Sequence, residues 1–422
     1  MPMKNLKKPI CTLLCGAILC GCAGGSDSQQ SIVSSQTSSQ DSSASVVMAG
    51  DEELNRLYSF SWDLFNQVRH EKEGQLVSPL SALFALGMTA NGAKGETLEQ
   101  MEEALNLSVD QINALSRSAL DSADADSTRT LEIANSIWLN QDQADSFIDS
   151  YGKLLDQDYD AQSFEFDASK DPQKEIDQWI SEKTHGLIDQ MPADLSAETA
   201  LVLVNALAFD SAWAVNYEDS QIVHAPFHNV DGTEAQVQML TSDEEDLVMA
   251  EGLKGFIKPY ESYRYGLAVL IPEDENRLLG DVLANVDGTR LLNALRTPQA
   301  ATIHASFPEY EFSSEMKLND TLKSMGMELP FEDGADFSGM IEGGNIAISE
   351  VLQKARIKVN RAGTKAAAAT EVVMNETAAL ITEDEVDVIC DRPFLYILMD
   401  LDTATPVFMG TIQSMENNQP DQ

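Results

Sequence analysis

Beyond residue 22 the sequence holds a single cysteine, Cys390; the other four, Cys11, Cys15, Cys20 and Cys22, crowd into the first 22 residues. No disulfide can therefore cross-link the part that folds. Cys390 lies in the apolar alternation VDVICDRPFLYILM, where a buried structural thiol is expected rather than a nucleophile. Positive charge is also scarce: 27 Lys and Arg stand against 69 Asp and Glu, a net charge of -42. A polyanion would meet like-charge repulsion, which excludes nucleic acid as a partner and leaves solubility as the use of the acidity. The sequence lacks G-x-S-x-G, H-E-x-x-H, G-x-G-x-x-G and G-x-x-x-x-G-K. It therefore offers no nucleophile elbow, zinc helix or phosphate loop, and neither cofactor nor metal is expected. His224 and His228 have metal-ligand spacing, but Pro226 between them opposes a helix that would set both on one face. His304 alternates with apolar neighbours in ATIHASF and reads as a strand residue rather than a general base.

The chain opens as a sorting signal. Lys4, Lys7 and Lys8 precede an apolar run, Pro9 to Cys20, that is too short to span a bilayer. Its end, Leu19-Cys20-Gly21-Cys22, resembles a bacterial lipobox. The resemblance implies removal of the leader, lipidation at Cys22 and a cell-surface, extracellular location with a lipid anchor as the only membrane contact. Residues 23–50 are rich in Ser, Gln and Gly, cannot bury enough apolar surface to fold, and read as a flexible tether. From residue 51 to 415 no Ser/Gly-rich break, repeat or long like-charge block appears, so one continuous domain is expected, with a polar tail at 416–422.

Ser78 is a predicted N-cap with Pro79 at the first helical position, and Asn91-Gly92 is the predicted stop. The apolar density from Leu80 to Met88 predicts a helix buried on most sides. Thr97 and Gln100 form a capping-box pattern for a second helix. ALVLVNALAF, Ala200 to Phe209, is a continuous apolar run of strand length, hence a central strand covered on both faces. Its Asn205 must find partners there. YGLAVLIP, PFLYILMD and PVFMGTI read as further strands, the last two joined through LDTATP as a hairpin. Helices early and strands late predict an α+β fold with antiparallel sheets rather than a βαβ series.

The segment VNRAGTKAAAATEVVMNETAAL, Val359 to Leu380, is conformationally undecided. Four alanines favour helix, whereas Gly363 and Thr364 before them and Thr370, Val372 and Val373 after them favour strand or loop. At period two, Thr364, Ala366, Ala368, Thr370, Val372 and Met374 make one face, small and then apolar. The other face, from Gly363 and Lys365 through Ala367 and Ala369 to Asn375, carries both charges. Such a segment can lie exposed and can also enter a sheet with its first face inward. Taken alone, it reads more simply as an Ala-rich linker or short helix.

Its neighbours change that reading. GTKAAAAT resembles the proximal hinge of an inhibitory reactive-centre loop of the serpin family, and VICDRPFLYIL resembles that family's C-terminal signature. VSPLSALFALGMTANGAKGETLEQM resembles its central buried helix, ANSIWLN and LVLVNALAFDSAW two strands of its main sheet, and DFSGM a further landmark. The resemblance implies about three β-sheets, eight or nine helices and an exposed loop. It implies a protease inhibitor rather than an enzyme, acting by strand insertion. The target cuts the loop and forms an acyl-enzyme, and the freed loop enters the main sheet before hydrolysis completes.

Residue by residue, the family's hinge falls on Gly363, Thr364, Lys365, Ala366, Ala367, Ala368, Ala369 and Thr370. Its polar shutter falls on Ser78, Ser81 and Asn205, with Gln353 where the family often has histidine. Its breach falls on Trp213, Glu309 and Arg361. The last two depart from the pattern, since Arg361 replaces an acidic residue and Glu309 a basic one, an ion pair of reversed polarity. The reactive bond falls between Thr377 and Ala378, with Met374, Glu376 and Leu380 as alternative positions. Small residues there suit elastase-like or subtilisin-like serine proteases, held in a covalent 1:1 complex by a monomer. A serpin-fold binding protein that does not inhibit is the alternative.

Overall fold

The computed structural model describes residues 50–125, 130–191, 195–344, 346–364, 385–416 and 418–419. Cys22, Lys365 to Thr370, Met374, Glu376, Thr377, Ala378 and Leu380 lie outside them. The helices are α1 (Asp51–Val68), α2 (Pro79–Ala90), α3 (Gly95–Leu105), α4 (Val109–Ala125), α5 (Gln141–Ala144), α6 (Asp149–Tyr159), α7 (Pro172–Lys183), α8 (Leu279–Leu283), α9 (Gly288–Arg296) and α10 (Asn319–Ser324).

Seven strands form the first sheet: β2 (Leu131–Asn140), β3 (Gln162–Phe166), β4 (Leu201–Phe209), β5 (Ser211–Ala212), β11 (Tyr310–Lys317), β12 (Glu350–Asn360) and β13 (Gly363–Thr364). Their order is β3-β2-β4-β12-β13-β5, with β11 on the remaining part of β12. The second sheet has nine: β1 (Gln75–Val77), β6 (Ile222–His228), β7 (Glu234–Ala250), β8 (Leu253–Pro259), β9 (Tyr265–Pro272), β10 (Gln299–Pro308), β14 (Glu385–Ile389), β15 (Phe394–Asp400) and β16 (Thr405–Ile412). The third sheet expected from the resemblance is present as β6, β7, β10 and β14. It is continuous with the second because the 17 residues of β7 pair with β6 and β10 over their first part and with β8 at their end. The architecture is α+β.

All nine residues of β4 are buried, as its unbroken apolar run requires of a strand covered on both faces. All twelve residues of α2 are buried too, because the helix lies between the two sheets. Its Ser78 cap bonds to β16 on one side and β12 on the other. A Cβ at Gly87 would meet Ile112 at 2.5 Å and the Tyr159 hydroxyl at 2.6 Å, so glycine permits the close approach of α4 and α6. β15 and β16 form the expected antiparallel hairpin.

The capping box does not form. α3 begins at Gly95, and the Thr97 and Gln100 side chains bond other chain segments instead. Thr97 Oγ1 accepts from the Asp336 N–H at 2.8 Å, and Gln100 Oε1 accepts from the Leu329 N–H at 2.7 Å. Tertiary partners have won over the local pattern.

Candidate functional site

Register sets three amides in one row across the first sheet. Asn135 on β2 faces Asn205 on antiparallel β4, and Asn205 faces Gln353 on parallel β12. All three are buried, so each must be satisfied internally. Asn205 Nδ2 donates to Asn135 Oδ1, and Asn135 Nδ2 donates to the Tyr159 carbonyl at 2.9 Å. From α2 beneath the row, Ser81 Oγ donates to Asn205 Oδ1. Gln353 uses both ends of its carboxamide on one residue: Oε1 accepts from the Ser78 N–H at 2.9 Å, and Nε2 donates to the Ser78 carbonyl at 2.8 Å. Ser78 Oγ caps α2 through the Ser81 N–H at 3.1 Å and donates to the Val407 carbonyl at 2.7 Å. The row ties β4 and β12 to the helix and, through it, to the second sheet.

Above this row the two strands part. Pairing of β4 with β12 runs only from Val202–Glu350 to Ala206–Lys354. Beyond it lies a cleft of about 240 Å³, with Leu207, Ala208 and Phe209 on one wall and Arg356, Lys358 and Asn360 on the other. Gly363 and Thr364 close the top of the gap. β13 pairs with β12 through Val359–Thr364 and with β5 through Thr364–Ser211, both antiparallel.

Thr364 is 1% exposed, and its Oγ1 lies 2.7 Å from the Tyr260 hydroxyl. Tyr260 stacks on Trp213 at 4.5 Å between ring centroids, and Trp213 Nε1 donates to the Asn360 carbonyl at 2.8 Å. Beneath them Lys258 and Glu244 form a buried ion pair at 2.7 Å, with the ammonium 4.5 Å from the Tyr217 ring centroid and 5.6 Å from that of Trp213. Burial pushes the Tyr260 and Tyr217 hydroxyls well above the ordinary phenol range, so both are neutral hydrogen-bonding groups.

Glu309 Oε1 accepts the Arg361 backbone N–H at 2.8 Å and stands 3.8 Å from Arg361 Nε. The guanidinium has nearer partners in Asp219 Oδ1, at 2.8 Å, and Gln238 Oε1, at 3.2 Å. The reversed pair is thus one contact of a larger set. Sequence reading missed Asn135, Tyr260, Lys258 and Glu244. Asn135 carried a signal, a polar residue inside the strand pattern ANSIWLN, whereas the others come together around Trp213 and Tyr217 only in the folded chain.

The remaining candidates do not join this site. His224 and His228 lie on strand β6, and no group of three or more metal-binding side chains occurs among the described residues. His304, on β10, puts Nδ1 2.8 Å from Asp243 Oδ1, and that hydrogen bond holds its pKa above the ordinary imidazole value. Cys390 is fully buried, and burial pushes its thiol far up, the opposite of an activated nucleophile.

A family model described as Serpin (serine protease inhibitor) matches residues 55–415. The chain is 29% identical to an uncharacterized serpin-like protein of Thermococcus kodakarensis, covering 87% of this chain and 88% of that protein. It is 30% identical to Serpin-ZX of Arabidopsis thaliana, covering 80% and 91% respectively. Among solved structures, the thermophilic serpin Tengpin in its native state superposes with a TM-score of 0.78 at 33% identity, over 87% of this chain and 95% of that one. The latent state of Tengpin gives 0.73 at 30% identity, over 87% and 99%.

Proposed function

Because the chain belongs to the serpin family, we propose that it inhibits extracellular serine proteases as a suicide substrate, with its loop as bait and its first sheet as trap. The observation that carries this reading is the parted sheet. β4 and β12 are zipped below Ala206 and Lys354 and separated above, with Gly363 and Thr364 already seated at the open end. A strand that continued from Thr364 would descend between walls that await it, and Ala366 and Ala368 would present small inward side chains. No proline or inward charge stands between Gly363 and Asn375 to block entry.

In the proposed reaction the protease serine Oγ attacks the Thr377 carbonyl and the Thr377–Ala378 C–N bond breaks. Ala378 leaves as a new amino terminus, and the Thr377 acyl group stays on the protease as an ester. Entry of about ten residues into the sheet adds ladder hydrogen bonds worth roughly 1 kcal/mol each, a drive on the order of 10 kcal/mol. That drive carries the bound protease across the molecule before water reaches the ester. Thr377 and Ala378 favour elastase-like or subtilisin-like pockets. Residues 1–22 would deliver the protein to the cell surface, with lipid on Cys22.

Incubation of the intact protein with an elastase-like and a subtilisin-like protease, followed by denaturing gels and intact mass, tests the proposal. A covalent complex stable in denaturant, with a released peptide beginning at Ala378, is expected. Clean loop cleavage without a complex across a wider protease panel would replace inhibition with a binding role.

A further inference from the structure

Far from the parted strands, a cleft of about 860 Å³ opens at the end of the second sheet where β15 begins and β16 stops. Phe394 and Ile412 are register partners there, which brings Arg392 and Gln413, just outside the ladder, onto the same wall of the cleft. Arg392 Nη1 donates to Asp391 Oδ1 at 3.0 Å. Its other two nitrogens, Nε and Nη2, form the opposite edge of the guanidinium, are buried, and have no hydrogen-bond partner among the described residues. Gln413 is 1% exposed, and its Nε2 is likewise without a partner. Three buried donors on one wall call for acceptors, since an unsatisfied buried donor is costly.

The free guanidinium edge selects their form. Two parallel N–H groups match the two oxygens of a carboxylate or phosphate, which a lone carbonyl or hydroxyl cannot do. Arg277 and Lys72 line the same cleft, and neither forms an ion pair among the described residues. Arg277 Nη2 reaches only the Asp281 backbone carbonyl, at 3.3 Å. The cleft also carries carboxylates, Glu71, Asp231, Glu275 and Asp281. Asp231 accepts from Thr233, through its N–H at 2.9 Å and its hydroxyl at 2.6 Å, which holds it ionised, and all four would repel a ligand charged along its length. We propose that this cleft binds a compact, single-headed oxyanion, a carboxylate or phosphate on a neutral or cationic body, seated on the Nε–Nη2 edge of Arg392 with Gln413 as a further donor.

Titration calorimetry of the intact protein with inorganic phosphate and with acetate, against sodium chloride at matched ionic strength, tests this. Saturable one-to-one binding of at least one ion is expected, and the tighter of the two names the headgroup. Arg392→Lys keeps the charge but loses the fork and is expected to weaken binding about tenfold or more. Gln413→Met, read if the lysine variant does not fold, is expected to weaken it about threefold or more. No saturable heat from either ion beyond chloride overturns the proposal. So does unchanged affinity in whichever variant folds.

Discussion

Gln353→Ala is the most direct probe of what holds the sheet closed. The carboxamide bonds both backbone groups of Ser78, a residue with no exposure at all. Truncation strands the Ser78 N–H, while the carbonyl keeps the Ala82 N–H at 3.1 Å. A stranded buried N–H costs about 1–3 kcal/mol and the second lost bond about 1. One lost methylene of burial adds about 1 kcal/mol. The native state should therefore lose about 3–5 kcal/mol. If β12 leaves α2 before strands part, the same loss speeds parting about 100-fold or more. The assay is urea denaturation followed by tryptophan fluorescence, paired with the rate of spontaneous inactivation at fixed temperature. Gln353→Met, which keeps most of the volume, separates packing from hydrogen bonding. A Gln353→Ala midpoint equivalent to a loss below about 1 kcal/mol would refute the assignment of this bond pair as the clasp. A large loss with an unchanged inactivation rate would show that the clasp survives into the parting transition state.

Three further outcomes are expected. Lys258→Met leaves Glu244 buried without its cation and should cost about 3–5 kcal/mol, with Lys258→Met/Glu244→Gln recovering most of it in the same urea assay. Thr364→Arg puts a charge against Tyr260 where the side chain is now buried, so on gels the loop should still be cut while the covalent complex is lost. His304 has a folded pKa raised first by its hydrogen bond to Asp243, so its contribution is fully present below the ordinary histidine pKa and fades as pH rises through the raised value. His304→Gln should therefore be less stable than the parent at mildly acidic pH and converge with it on the alkaline side, as melting temperatures across pH would register.

Much of this was legible in the chain itself, and the reasons differ by element. α2 could be read because cap, proline and stop are local and agree with an apolar run. β4 could be read because a buried strand needs no alternation. The capping box at Thr97 and Gln100 misled because the same hydroxyl and amide serve backbone N–H groups that lie more than two hundred residues away. Arg361 was legible as a reversed charge but not as a partner of Asp219, which only the turn before β6 brings near. The Lys258–Glu244 pair was hidden because each residue sits in an ordinary strand pattern, and burial is decided by the sheet that covers it.

The pairing of β14 with β10 has one more consequence. Residues 365–384 connect β13 on one sheet to β14 on the other, so the main chain is a closed circuit fastened at both ends. While the circuit is whole, every residue that advances beyond Thr364 must be drawn from those 20, and after the slack is spent, from the five-residue ladder of Thr302–Ser306 with Glu385–Ile389. Severing one peptide bond anywhere in the span removes that constraint. Under the proposed mechanism, connectivity rather than affinity stores the decision, and a molecule governed in this way fires once and has no route back.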